Sequence, residues 1–162
     1  MNLLFHPAVV HLPVGLAIIL PLAALWVFWK HPQAWSLVVI LLGLQVAGTH
    51  LGLYTGERIE DAYEQVRGEE TGPAIHEHEE LAEGLLVLAW AGLALAVGGL
   101  LLPVRFRRAV QVATLVVAVG ISIQAARTGH AGGVLVYGPD RQVPGAPAGN
   151  TTMIGGEETD ID

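Results

Sequence analysis

The chain has 162 residues, enough for one domain, with a net charge of −7 and no cysteine. That excludes a disulfide framework, a thiolate metal centre and haem attached through a CxxCH motif, and it argues against nucleic acid, whose phosphates need a basic surface. Hydrophobic residues make up 52% and charged residues 14%, against about 25% charged in soluble domains, so the composition points to a membrane protein.

In chain order, the stretch FHPAVVHLPVG (residues 5–15) sets His6 and His11 beside Pro7 and Pro13 at the mouth of an apolar run. No basic stretch precedes that run and no clear small-x-small site follows it, so it reads as a retained helix rather than a signal peptide. Four apolar spans are predicted, at about 8–29, 34–54, 82–103 and 109–126. Each is near the ~20 residues needed to cross ~30 Å of hydrocarbon. None contains Lys or Arg, and Glu83 is their only acid.

The turns at 30–33 and 104–108 hold Lys30, Arg105, Arg107 and Arg108, four of the eight basic residues, and no acid. The positive-inside rule puts both turns in the cytoplasm. Both termini and an acidic loop at 55–81 then face outward, and Trp26, Trp29 and Trp35 suit a cytoplasmic aromatic belt. The expected fold is an all-α integral membrane protein, an up-down bundle of four transmembrane helices. It occupies residues 1–138, followed by a flexible acidic tail at 139–162. Small residues recur four apart, as Gly48, Gly52 and Gly56 or Ala118, Ser122 and Ala126. They suit close helix packing in lipid, or a slot for a flat cofactor. The stretch GHAGGVLVYG (129–138) reads as a helix stop at Gly129 followed by an extended segment.

Six of the seven histidines fall at the outer helix ends in this topology, and only His31 is cytoplasmic. Ionisable groups at a membrane edge are functional candidates. His6 and His11 open the first helix, His50 lies near the end of the second, His76 and His78 lead into the third, and His130 follows the fourth. In IHEHEELAE (75–83), helical spacing puts His76, Glu80 and Glu83 on one face, while His78 points towards Leu81, Ala82 and Leu85. Arg127, beside His130, suits a carboxylate or a haem propionate.

The ordered set HPAVVHLPVGL, TGERIED, His76 and GHAGGVLVYG resembles the bacterial four-span membrane family known as domain of unknown function 2231. The match covers about residues 5–138. The resemblance implies a four-span fold and marks His6, His11, one of His76 and His78, and His130. Leu12 stands where the family usually has a bulkier aromatic.

Three functions fit these residues. One is a b-type haem protein that moves electrons at the outer face, with axial ligands drawn from His6, His11, His76 and His130, and Arg127 on a propionate. Another is a non-haem Zn, Cu or Fe site built from His11, His130, His76 and His78, with His50, Glu80 and Glu83 as further ligands. The last is an accessory subunit of a membrane complex, without chemistry of its own. All three place the chain in the lipid bilayer of the bacterial inner membrane, with a redox partner or larger complex on the outer side and no nucleic acid. An electron-transfer or binding role fits better than an independent enzyme. Ser36 and Ser122 are the only serines, neither in a nucleophile-elbow context.

Overall fold

A computed structural model describes residues 5–67 and 72–137, and these form four long helices. Helix α1 is Phe5–Lys30, α2 Trp35–Arg67, α3 Gly72–Leu101 and α4 Val104–Tyr137, with a single 3-10 turn, Pro32–Ala34, between the first two. Helices α1 and α3 each pack against both α2 and α4, which gives the square plan of an up-down bundle. All four are long and apolar enough to cross a membrane. The chain is therefore a multi-pass, membrane-type four-helix bundle.

The helices outrun the predicted spans. At 1.5 Å per residue they measure roughly 39, 50, 45 and 51 Å, against a hydrocarbon core of ~30 Å. The expected acidic loop at 55–81 is instead helix as far as Arg67 and again from Gly72. Helix propagation adds residues cheaply once a span has nucleated, and this segment is rich in Glu, Arg, Gln and Ala. The expected stop at Gly129 is also overturned, since α4 runs through GHAGGVLVY to Tyr137. The tail at 139–162 lies outside the described residues.

Burial is inverted relative to a soluble bundle. Ile18, Leu22, Trp29, Val87, Val116 and Ile123 are all exposed, whereas Gln45, Thr49, Thr55, Gln111 and Thr114 are buried. Water would penalise that exterior, but lipid does not. The core holds small side chains such as Ala17, Ala24, Ala89, Ala96, Ala118 and Ala125, with Leu20, Leu42 and Ile121 between them. Gly48 lets Pro13 of α1 approach α2, for a Cβ there would lie 3.2 Å from the proline ring.

Trp35 leaves the expected aromatic belt. It is 1% exposed and donates from Nε1 to the Ala96 carbonyl at 3.0 Å. Trp26 and Trp29 do remain on the surface. At this end Arg108 stacks on Phe28 and Arg105 on Phe106, so the basic turns cap the bundle on aromatic faces.

Pro13 and Pro21 lie inside α1. Pro21 has no N–H to offer the Ala17 carbonyl one turn earlier. Ser122 of α4 supplies the replacement, donating from Oγ to Ala17 O at 2.6 Å. Ser122→Ala strips a buried acceptor of its partner and is expected to cost about 1–3 kcal/mol. A thermal melt in detergent measures that loss. Gly99→Ala is expected to cost about as much, by overpacking, because its Cβ would fall 2.7 Å from Trp35 Nε1. Gly120 has nothing within 4 Å of an added Cβ, so Gly120→Ala is the control, neutral or stabilising by up to about 1 kcal/mol.

Candidate functional site

The end of the bundle where α1 and α3 begin is here called the histidine end. His6 lies in the first turn of α1, against α2. Its Nδ1 is 2.9 Å from Thr55 Oγ1. The Thr55 hydroxyl proton is already committed to the carbonyls of Leu51 and Gly52, at 2.9 and 3.0 Å. A Thr55 proton directed at those carbonyls leaves Oγ1 as an acceptor, which suits the His6 tautomer protonated on Nδ1. The ring packs over Gly56, where an added Cβ would make ordinary van der Waals contact with His6 Cε1 at 3.4 Å.

His78 of α3 is held in the same way against α4. Its Nδ1 is 3.0 Å from the Thr128 carbonyl oxygen, which can only accept. Gly132 receives the ring, and a Cβ there would lie 3.0 Å from His78 Cε1. His78 thus carries the proton on Nδ1 and leaves Nε2 as the basic nitrogen, and the Thr55 contact suits the same tautomer of His6. A neutral imidazole in this state is the form that ligates metals, with its other nitrogen fixed by a hydrogen bond. His6 is held below the ordinary histidine value of 6.5 mainly by burial, then by the nearby His78, with the Gly52 backbone partly offsetting both. Gln124 ties α3 to α4 beneath the pair, donating from Nε2 to the Leu81 carbonyl at 2.9 Å.

The remaining sequence candidates lie elsewhere. His76 is exposed on α3 and pairs with Glu80 at 3.3 Å, so that face is a solvated helix surface, and Glu83 is exposed on it as well. Of the two histidines in IHEHEELAE, His78 is therefore the one turned into the bundle. His11 is exposed on α1. His50 is exposed and accepts from Trp90 Nε1 at 3.3 Å, bridging the outer faces of α2 and α3. His130 sits between Thr128 and Gly132, and residues two apart on a helix point ~200° from one another. It therefore faces away from His78, and with Arg127 and Glu77 it lines a separate groove between α3 and α4. Among the described residues no three His, Asp or Glu side chains are grouped to hold a metal ion. The Zn, Cu or Fe site expected from His11, His130, His76 and His78, with His50, Glu80 and Glu83 as further ligands, is thus not assembled among them.

Sequence reasoning missed the supports, Thr55 and Thr128. The signal for each is a Thr-Gly pair, Thr55-Gly56 and Thr128-Gly129, on a small-residue helix face. The chain matches no protein-family model, no curated protein and no solved structure.

The lowered His6 pKa fixes a sign. Its neutral form is the one the fold prefers, so the associated stability is present above 6.5 and declines as pH falls through and below that value. In cofactor-free protein, a histidine Cε1 NMR titration is expected to place His6 below the ordinary histidine value of 6.5. A midpoint at or above that value contradicts the buried, neutral arrangement.

Proposed function

We propose that His6 and His78 would hold the iron of a b-type haem, and that the chain is a membrane electron-transfer protein with its histidine end outside the bacterial inner membrane. One observation carries this reading: two half-buried imidazoles from different helices at the same end of the bundle, each held through Nδ1, His6 on the Thr55 hydroxyl and His78 on the Thr128 carbonyl.

Porphyrin occupies four coordination positions of its iron, so the protein need supply only one or two ligands. A Zn, Cu or Fe ion without it draws three or four from the protein, more than the described residues bring together. The donor set thus suits haem better than a bare ion. When bound, haem supplies one-electron transfer at its iron.

The chain's own contribution is orientation. Thr55 and the Thr128 carbonyl hold the two rings in place through Nδ1, while Gly132 supplies room beside His78. The resemblance of HPAVVHLPVGL, TGERIED and GHAGGVLVYG to a bacterial membrane family agrees with this placement, since His6, Thr55-Gly56 and Gly132 all fall within those motifs. The basic turns at the opposite end support the orientation, by the preference of Lys and Arg for the cytoplasm.

Purified protein is expected to give sharp α and β bands on dithionite reduction. His6→Ala and His78→Ala are expected to abolish them, while His76→Ala and His130→Ala keep them. Thr55→Val is expected to retain pigment with an altered midpoint potential. Colourless protein even after haem add-back, or pigment that survives both ligand substitutions, overturns the assignment.

A further inference from the structure

The groove between α3 and α4 is separate from the paired histidines and has its own chemistry. It is a half-open groove of about 620 Å³, with Leu81 and Ile123 at its apolar end and Glu77, Arg127 and His130 at its polar end. Below it, Val116 and Val119 continue the same exposed stripe of α4. A helix face carrying 116, 119, 123, 127 and 130 is thus apolar along its lower part and charged above.

The depth of the change is informative. Counting about 30 Å from the basic end at 1.5 Å per residue, the hydrocarbon boundary falls near Ile123 on α4 and Leu81 on α3. Arg127, His130 and Glu77 then sit one to two turns higher, at headgroup level. Arg127 and Glu77 line the same groove with opposite charges, yet among the described residues neither forms an ion pair. A guanidinium and a carboxylate set apart across a groove match a ligand that carries both charges.

We infer that this groove holds a phospholipid whose head bears a phosphate and a primary ammonium, of the phosphatidylethanolamine class. Arg127 offers paired N–H donors to the phosphate, His130 adds a donor beside it, and Glu77 accepts from the ammonium. One acyl chain follows Ile123, Val119 and Val116 into the bilayer. A choline head has no N–H to give Glu77. A glycerol head leaves that carboxylate facing a ligand of its own sign.

Native mass spectrometry of the full chain in detergent tests this, with dioleoyl phosphatidylethanolamine, phosphatidylcholine and phosphatidylglycerol offered in turn. The expected result is retention of one ethanolamine lipid, about tenfold over the other two. Arg127→Ala is expected to lose most of that retention, and Glu77→Gln to keep binding but lose the preference over choline. Both positions are exposed, and an unchanged melting temperature confirms the fold. Equal retention of all three lipids, tighter retention of the glycerol lipid, or a preference unmoved by both substitutions overturns the inference. None of these outcomes depends on whether the protein carries pigment.

Discussion

A bilayer offers no hydrogen-bond partner to a backbone carbonyl, and in α1 Pro21 leaves Ala17 without its helical one. The Ser122 hydroxyl, 105 residues away in sequence, closes that gap at 2.6 Å. The contact fixes more than one acceptor. It joins α4 to α1 near the upper edge of the hydrocarbon, closes the square, and helps to set the rotation at which α4 presents Thr128 and Gly132 two to three turns higher. The same requirement explains the Trp35 indole on the Ala96 carbonyl and the Gln124 amide on the Leu81 carbonyl. Polar side chains inside this bundle mostly serve backbone carbonyls, their own helix's or a neighbour's. Gln45 departs from the pattern. Its Nε2 reaches Thr49 Oγ1, but its Oε1 is buried with no partner among the described residues.

Because lipid tails are as apolar as leucine, burying large hydrophobic side chains gives such a bundle little. Close approach matters more. Glycine and alanine therefore occupy the contacts, and bulky residues face outward. Gly92 shows how tight the fit is, with Leu42 from α2 only 3.0 Å from where its Cβ would stand. That economy carries into the site. Gly56 and Gly132 continue the small-residue faces of α2 and α4, and there they admit imidazole rings instead of a neighbouring helix.

The four spans were legible because hydrophobicity and length suffice to identify them, and so was the concentration of histidines towards one end. The helix ends were not. Residues 55–67 and 72–81 are polar on most sides, a pattern that reads as loop unless the segment is known to extend an existing helix. Gly129 looked like a terminator, but within GHAGG the glycine that matters structurally is Gly132, placed for close approach rather than for a positive φ. The choice between His76 and His78 depended on how far α3 is rotated. Residues two apart point to nearly opposite sides, and only packing against α4 says which of them is inside. Trp35 misled for a related reason. An aromatic near a span end suits the interface equally well from composition alone, and its partner, Ala96, is 61 residues away.

The overshoot of the helices is what makes a histidine site tenable in a membrane bundle. Imidazoles at the midplane would need full compensation for lost hydration. On helices that run roughly 9 to 21 Å past the hydrocarbon, the same side chains keep the rigidity of the packed spans while standing where water reaches their polar edges. Rigidity and solvation then come from different lengths of one helix. The spans below fix rotation through Ser122 and Trp35, and the extensions above carry Thr55, His78 and Thr128. One consequence is that distant packing reaches the site. A change that turned α4 by one residue, about 100°, would carry Thr128 and Gly132 away from His78 and bring other side chains of α4 against its ring. Which histidine faces inward is thus a matter of how the packed helices orient α3 against α4, not of the sequence immediately around the ring.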